Sequence, residues 1–114
     1  MRPYDSLRGD AEFARVRRRG RRIEGAHLGI VAVAAPSGRR PRIAIVTPKG
    51  YGDAVVRNRA RRRLQAALEG LDLPGNPLDM IVTARDSART VEFPLLRRDL
   101  QAALTRLGLS LIHI

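Results

Sequence analysis

The chain has 114 residues, 44% of them hydrophobic, which is sufficient for one domain with a packed core. Its 22 basic residues outnumber its 11 acidic residues, and the resulting formal net charge of +11 is typical of a protein that binds a polyanion. The lack of cysteine excludes disulfides, thiolate metal sites and cysteine nucleophiles, and no apolar run has the length of a signal peptide or a membrane span. We therefore expect a single cytoplasmic domain over residues 1–114 that does not associate with a membrane.

The first predicted element is a short basic helix. Residues 1–8 are expected to form a loose leader, after which Asp10 caps a helix that ends at Gly20. Phe13 lies on the narrow apolar stripe of this helix. Six arginines fall within eight positions: Arg15, Arg17, Arg18, Arg19, Arg21 and Arg22. A solvated basic face would explain this cluster, but the scarcity of apolar anchors favours contact with a nucleic acid.

Four strands are predicted in two groups. Residues 21–35 are rich in β-forming residues and form a hairpin or small meander with residues 42–47, including a short first strand near Ile23. The segment PSGRRP between the two ranges is a turn. Residues 79–85 form the last strand, beyond a helix that is described below.

The last predicted helix begins near Thr90 and ends at about Leu107, with Gly108 as its stop and Pro94 in its first turn. Apolar residues recur along it at steps of three and four: Phe93, Leu96, Leu100, Ala103, Leu104 and Leu107. Residues 109–114 are expected to form a disordered tail. The order is therefore α-β-β-β-α-β-α, an α+β two-layer sandwich in which helices cover a sheet.

The helix predicted over residues 54–70 begins with AVVRNRARRRLQAAL. One side of it is apolar and suited to packing on a sheet: Val56, Ala60, Leu64, Ala67, Leu68 and Leu71. The other side carries Asn58 and five arginines: Arg57, Arg59, Arg61, Arg62 and Arg63. The first acidic residue of this helix is Glu69, at its far end.

Such a concentration of like charge is unfavourable for an isolated helix. Like charges three or four residues apart destabilise a helix by about 0.2–0.5 kcal/mol per pair, and cations near the N-terminus oppose the macrodipole. Ion pairs with acids elsewhere in the chain would explain the arginines without a ligand. A helix whose guanidinium and N-terminal N–H groups face phosphates explains them better, and Asn58 would add a donor and an acceptor for a base edge or a sugar hydroxyl.

The same helix resembles that of a known family. GDAVVRNRARRRLQAAL, residues 52–68, resembles the Arg-Asn-Arg signature helix of the bacterial ribonuclease P protein component, and the preceding strand RIAIVT is part of the match. LRGDAEFARVRRRG, residues 7–20, is similar to the first helix of the family, and DMIVTAR, residues 79–85, is similar to its last strand. The resemblance covers about residues 5–108.

The resemblance implies a fold and a function. Members of the family share the fold of the second domain of ribosomal protein S5, with a left-handed strand–helix–strand crossover in place of the usual right-handed one. The family protein is a subunit of a ribonucleoprotein endonuclease, whose RNA subunit holds the active site and its Mg²⁺ ions and frees the 5′ end of precursor tRNA. We therefore expect a monomer in a 1:1 complex with the catalytic RNA, precursor tRNA as a further partner, and no catalytic residue in the protein.

Candidate site residues follow from the match to the family pattern. The signature helix of the family docks on the catalytic RNA, so the resemblance assigns to that RNA Arg57, Asn58, Arg59, Arg61, Arg62 and Arg63, with Lys49 from the preceding loop. A cleft between the first helix and the sheet holds the single-stranded 5′ leader of the substrate. The resemblance assigns Phe13, Arg17, Arg18 and Val31 to this cleft, and it assigns no metal ligand.

The predicted cleft has fewer aromatic residues than is usual in the family. Two positions that are often aromatic are Arg17 and Val31 here, which leaves Phe13 to stack on a base, an interaction worth about 1–3 kcal/mol. We therefore expect charge to hold the leader more than stacking does. Tyr51, in the loop PKGYGD, either partly replaces a lost aromatic residue or is simply a packed loop tyrosine, which is the more ordinary role.

The other titratable residues form no recognisable catalytic set. His27 is expected at a strand edge, and His113 lies in the tail. Asp72, Asp79 and Asp86 are seven positions apart, but the loops between them favour turn and strand-end positions. A stand-alone nuclease is disfavoured, because neither a His–acid–nucleophile spacing nor a phosphate-binding loop is present. The alternative to the ribonuclease P subunit is a ribosomal-type RNA-binding protein or RNA chaperone without a role in cleavage.

Overall fold

A computed structural model of the chain describes residues 3–36, 38–71 and 77–112. The elements in these residues are β1 (Asp5–Ser6), α1 (Asp10–Arg19), β2 (Arg21–Glu24), β3 (Leu28–Ala34), β4 (Arg42–Val46), α2 (Ala54–Glu69), β5 (Leu78–Ala84), a 3-10 helix (Asp86–Arg89) and α3 (Phe93–Ile112). Each predicted helix and strand is present, and the α+β class is confirmed. Only β1 and the 3-10 helix were not predicted.

The strands form one mixed sheet in the order β1-β4-β5-β3-β2. β4 and β5 are parallel neighbours, with Arg42 opposite Asp79, and α2 connects them as a crossover helix. β3 pairs antiparallel with both β5 and β2. The β4–α2–β5 unit is therefore the crossover that the resemblance implied, and its left-handed sense stays a prediction.

The main core lies on the sheet face that α2 and α3 cover. Its largest fully buried side chains are Leu28, Leu78, Met80 and Val82 from the strands, Leu64 and Leu68 from α2, and Leu96, Leu100 and Leu107 from α3. Burial of each such side chain stabilises the fold by about 1.5–3 kcal/mol. The predicted apolar faces of both helices are confirmed, and Val56 and Leu71 at the ends of the α2 stripe are partly buried against the same core.

α2 begins at Ala54 because Asp53 caps it. The Asp53 carboxylate accepts a hydrogen bond from the backbone N–H of Val56 at 3.0 Å. The preceding Gly52 has a φ of 142°, and a Cβ there would lie 2.9 Å from a methyl group of Val56. The negative charge of the cap also offsets part of the unfavourable interaction between the α2 arginines and the positive end of the helix dipole.

α1 lies on the opposite face of the sheet from α2 and α3. Val16 is fully buried there in a smaller apolar cluster with Val31 and Ile81. α1 ends at Gly20 as predicted. A Cβ at Gly20 would lie 2.6 Å from a methyl group of Val31 and 2.5 Å from the carbonyl oxygen of Val16. The close approach of α1 to β3 therefore requires glycine at this position.

A buried carboxylate links α1 to the sheet. Asp79 lies near the start of β5, as predicted, but it is fully buried, and it accepts hydrogen bonds from Arg15 of α1, Arg39 of the β3–β4 loop and Arg42 of β4. The two Arg42 bonds are bidentate, with Nε 3.0 Å from Oδ1 and Nη2 2.9 Å from Oδ2. Glu12 accepts two hydrogen bonds from Arg15 within α1, the shorter at 2.7 Å. We call these five residues the Asp79 cluster.

The Asp79 cluster stays charged at neutral pH. Burial raises the pKa of Asp79, but the hydrogen bonds from Arg42 and Arg15 lower it by more, so its pKa lies below the ordinary value. The hydrogen bond to Asp79 raises the pKa of Arg42, and the hydrogen bonds to Glu12 and then Asp79 raise the pKa of Arg15. The cluster is therefore an ionic link between elements that are distant in sequence.

The prediction of a loose leader over residues 1–8 is wrong for the part that the structure describes. β1 pairs with Arg42 and Ile43 of β4. Tyr4 is buried in the main core, and Leu7 is buried in the smaller cluster on the α1 side. A strand of two residues is too short to show an alternating pattern, which is why the sequence did not reveal it. Residues 1 and 2 lie outside the described residues.

The predicted cap of α1 and the predicted end of α3 are also wrong. Gly9, with a φ of 98°, is the N-cap of α1, and Asp10 is the first helical residue. α3 continues through Gly108 to Ile112, because one glycine lowers helix stability by only about 1 kcal/mol relative to alanine. The predicted tail is therefore helical over residues 109–112.

Three predictions fall on positions that the structure does not describe. Asp72 lies in the gap over residues 72–76, and His113 lies beyond the described end of α3. The predicted disorder of the tail falls outside the described residues at positions 113 and 114.

We expect Asp79→Asn to destabilise the fold and to change its response to acid. Removing the carboxylate charge should cost about 3 kcal/mol, the lower end of the range for a buried ion pair, because the arginines are partly exposed. Since the pKa of Asp79 is lower in the folded than in the unfolded chain, its contribution is present above about pH 4 and is lost as the pH falls through the folded pKa.

Urea unfolding at a series of pH values measures this effect. The wild type should lose more unfolding free energy than Asp79→Asn below about pH 4, whereas the exposed-site control Asp86→Asn should follow the wild type. Parallel acid profiles for the wild type and Asp79→Asn would contradict the role of the cluster.

Candidate RNA-binding surfaces

The outward side of α2 is cationic, as predicted. Asn58, Arg59 and Arg62 are exposed, and Arg57 is half-buried beside them. Within the described residues, the side chains of Arg57, Arg59 and Arg62 form no ion pair or hydrogen bond. With Arg61, these residues form what we call the α2 arginine surface. Its guanidinium charges are thus available to an external anion such as phosphate.

Two of the six α2 residues assigned to RNA donate to groups of the protein itself. Arg61 Nη2 donates to Asn58 Oδ1 at 3.0 Å, which orients both side chains on the surface. Arg63 Nη1 donates to the carbonyl oxygen of Ala88 at 2.6 Å, and its Nη2 donates to that of Val91. Arg63 therefore fastens the segment between the 3-10 helix and α3 to α2, and we leave it out of the α2 arginine surface.

A cavity of about 450 Å³ opens on the sheet face that α1 partly covers. Its floor includes Val31 and the cross-strand pair Gly29 and Thr83, which lie on the same face by strand alternation. A Cβ at Gly29 would lie 3.1 Å from the Glu24 carboxylate, so glycine keeps the floor open. We call this cavity the floor cavity.

Basic side chains from three elements surround the floor cavity. Arg22 comes from β2, Lys49 from the β4–α2 loop and Arg85 from the end of β5. Arg85 donates to the Glu24 carboxylate and, through Nε, to the carbonyl oxygen of Gly25 at 3.0 Å. Lys49 thus lines the same cavity as Val31, and the RNA that it contacts stays a prediction. The sequence analysis included Arg22 in the basic cluster around α1 but did not identify Arg85 as a site residue.

The residues predicted to bind the leader lie on the α1 side of the sheet but do not line one cavity. Phe13 and Val31 belong to the same apolar cluster, yet Val31 lines the floor cavity and Phe13 lines a second cavity at the edge of β4. The Arg17 guanidinium carbon lies 5.8 Å from the centre of the Phe13 ring, within cation–π range. Arg17 and Arg18 are exposed at the end of α1, where they extend the basic surface.

Tyr51 is a packed loop tyrosine, buried against the main core, which confirms the more ordinary of its two predicted roles. Its hydroxyl donates to the carbonyl oxygen of Arg85 at 2.6 Å, and only 5% of the residue is exposed. The Arg89 guanidinium carbon lies 5.2 Å from the centre of its ring, and burial raises the pKa of Tyr51. Tyr51 therefore anchors one wall of the floor cavity and is not placed to stack on a base.

His27 has a structural environment. Its Nδ1 lies 2.8 Å from Ser87 Oγ, and its backbone N–H donates to the Asp99 carboxylate at 2.9 Å. These contacts tie the β2–β3 turn to the 3-10 helix and to α3. Within the described ranges, no three His, Cys, Asp or Glu side chains are grouped as metal ligands. None of the helices in those ranges combines the length and hydropathy needed to span a membrane.

Comparisons with known proteins agree on one family. The family model described as Ribonuclease P matches residues 1–108. The ribonuclease P protein component of Gluconacetobacter diazotrophicus is 36% identical over 104 residues, covering 90% of each chain. That of Thermus oshimai is 39% identical over 107 residues, covering 94% of this chain and 67% of the relative. The solved RNase P protein from Thermotoga maritima has a TM-score of 0.78 at 20% identity, covering 90% of this chain and 96% of its own, and this likeness shows the fold.

We expect Arg63→Ala to destabilise the protein and Arg62→Ala to leave its stability nearly unchanged. Loss of Arg63 removes the donors to the carbonyl oxygens of Ala88 and Val91, which should cost about 1–3 kcal/mol. Arg62 has no such partner within the described residues, so its removal should change stability by no more than about 0.5 kcal/mol. Thermal unfolding followed by circular dichroism measures both, and equal Tm values for the two variants would argue against the separate role of Arg63.

Proposed function

The chain belongs to the bacterial ribonuclease P protein family, and we propose that it acts as the protein subunit of that ribonucleoprotein. In this role it binds the catalytic RNA and the 5′ leader of precursor tRNA, and it promotes the endonucleolytic step that produces the mature 5′ end. The observation that carries the proposal is the α2 arginine surface, in which the side chains of Arg57, Arg59 and Arg62 have no partner within the described residues. The same proposal places the protein in the cytoplasm, as a monomer bound 1:1 to the RNA.

The α2 arginine surface is proposed to dock on the catalytic RNA. Arg59 and Arg62 are three residues apart on one exposed side of α2, so their guanidinium groups can approach neighbouring phosphates. The hydrogen bond from Arg61 fixes the amide of Asn58, and its remaining N–H groups can donate to a base edge or a sugar hydroxyl. Phosphate binding also removes the like-charge repulsion that the free helix retains.

The α1 side of the sheet is proposed to hold the leader. A single strand of RNA fits along the floor cavity, where Arg22 and Lys49 supply positive charge and Val31 supplies an apolar floor. Phe13, Arg17 and Arg18 extend this path along α1. Because one aromatic residue serves the path, its affinity should depend mainly on charge, and sequence preference for the leader should be weak.

We also propose, from the family resemblance, that the reaction takes place on the RNA subunit. Mg²⁺ ions held by that RNA would activate the attacking water and stabilise the leaving oxygen. The residues of this chain would contribute by positioning: α2 fixes the protein on the catalytic RNA, and the leader path holds the substrate strand next to it. Such orientation lowers the entropic part of the activation barrier without a catalytic side chain.

Arg59→Ala and Arg62→Ala are expected to weaken binding to a bacterial ribonuclease P RNA and to reduce its salt dependence. Each lost phosphate contact should flatten the slope of log affinity against log salt by about 0.7–0.9. Arg98→Ala is the matched control, since it removes the same charge from an exposed position on α3. Filter binding over a range of salt concentrations measures the slopes. Unchanged slopes for both α2 variants, or equal changes for Arg98→Ala, would rule out docking through α2.

Phe13→Ala is expected to weaken binding of precursor tRNA to the assembled enzyme more than binding of mature tRNA, because only the precursor carries a leader. Loss of one stacking contact corresponds to a decrease of about fivefold to 150-fold in affinity. Phe13→Leu is the control that keeps apolar volume but removes the flat ring. Equal losses for precursor and mature tRNA would show that Phe13 does not contact the leader.

A further inference from the structure

β4 has an open outer edge beyond the end of β1. β1 pairs only with Arg42 and Ile43, and the chain then turns away at Gly9, whose φ is 98°. From Ala44 to Val46, β4 has β5 on one side and, within the described residues, no strand on the other. A cavity of about 340 Å³ lies at this edge, and we call it the β4-edge pocket.

The β1–β4 ladder identifies the backbone groups that face the pocket. The N–H of Asp5 donates to the carbonyl oxygen of Pro41 at 2.8 Å, and that of Leu7 donates to Ile43 at 3.1 Å. Every second residue of β4 therefore directs its backbone N–H and C=O groups away from β5, to the side on which β1 pairs. The next residue in this series is Ile45, which lines the pocket and has no strand beside it on that side. Its N–H and C=O offer a donor and an acceptor to a ligand.

The side chains around the pocket define the chemistry of that ligand. Arg61 and Gln65 come from successive turns of α2, Arg8 from the β1–α1 loop and Phe13 from α1, and none of the described residues that line the pocket is acidic. This set suits a group with negative charge for the two guanidinium groups, a flat face for the Phe13 ring and a polar edge for Gln65 and the peptide of Ile45. A nucleotide has these three features.

We propose that the β4-edge pocket binds one nucleotide of a single-stranded RNA segment. Its volume is near the lower end of the range of about 300–1,000 Å³ for small-ligand sites, which suits one nucleotide. The pocket is bounded by Arg61 of the α2 arginine surface on one side and by Phe13 of the leader path on the other. It therefore joins the two RNA-binding surfaces around the edge of the sheet. The proposal rests on the function proposed above, and the strand belongs to either the catalytic RNA or the precursor tRNA.

Crosslinking from Ser6 identifies the RNA strand in the pocket. Ser6 lines the pocket, and the chain has no cysteine, so Ser6→Cys gives a unique attachment point for an azidophenacyl photo-crosslinker. We expect a crosslink confined to one or two adjacent nucleotides in the assembled complex. A crosslink to the catalytic RNA that forms without substrate assigns the strand to that RNA, and one that requires the leader-bearing precursor assigns it to the substrate. Gln101→Cys on α3, with the same label, should not reach that nucleotide.

Gln65→Glu tests the recognition chemistry, because it keeps the side-chain shape and adds a negative charge inside the pocket. We expect it to lower the affinity of the unlabelled protein for the RNA that Ser6→Cys identifies by about tenfold, since the new carboxylate repels the nucleotide phosphate. Gln101→Glu makes the same change on α3 and should reduce affinity by less than about twofold, because that charge lies outside the pocket.

The outcomes separate the pocket from the function on which it rests. If the protein stimulates precursor cleavage but Ser6 gives no RNA crosslink, the pocket proposal is overturned and the subunit function stands. Equal effects of Gln65→Glu and Gln101→Glu would overturn it as well. If the wild-type protein neither binds the catalytic RNA nor stimulates cleavage, the proposed function fails and the pocket proposal fails with it.

Discussion

Mutual repulsion among the arginines is the constraint on which the rest of this structure depends. A chain with a net charge of +11 folds only when its cations are paired, hydrogen-bonded or solvated. Asp79 neutralises part of the charge of Arg15, Arg39 and Arg42 in one buried cluster, and Arg63 donates to two backbone carbonyl groups. The arginines left on the outward side of α2 and at the end of α1 are those that a polyanion can reach. The fold thus separates arginines with partners in the protein from arginines that we propose bind RNA.

The sheet divides the arginines that we propose bind RNA into two regions. α2 carries Arg59 and Arg62 on one face, while α1 and the floor cavity lie on the other face, where the Asp79 cluster holds α1 in place. A subunit with this layout can contact one RNA on each side of a single sheet, which suits a protein that holds a substrate strand next to a catalytic RNA. The open edge of β4 is the place where the two regions approach each other.

Long periodic elements and the signature motif were predictable from the sequence. α2 and α3 each bury a stripe of apolar residues over several turns, so their faces were identified correctly before the structure. The family resemblance depended on a dense local motif, Arg57–Asn58–Arg59, with consistent flanking segments. Both signals are local in sequence, so they can be recognised without knowledge of tertiary contacts.

Contacts between distant positions were not predictable. The Asp79 cluster joins residues from α1, the β3–β4 loop and β4, which meet only because Arg42 lies opposite Asp79 in the parallel register. Arg63 looks like its neighbours in sequence, and its carbonyl partners lie around a 3-10 helix that carries no periodic signal. The position of Lys49 at the floor cavity likewise depends on how its loop folds, and its assignment to the catalytic RNA stays a prediction. Side-chain roles of this kind depend on which distant elements come together, and a local sequence pattern does not show that.

The most direct test of the account is cleavage of precursor tRNA at low Mg²⁺ by a bacterial ribonuclease P RNA alone, the protein alone, and the two mixed. The account predicts cleavage at the mature 5′ end in the mixture and none by the protein alone. An absence of stimulation, with tight and salt-sensitive RNA binding intact, would contradict the subunit role and favour a ribosomal-type RNA-binding protein or RNA chaperone. Cleavage by the protein without RNA would contradict the assignment of the chemistry to the RNA subunit.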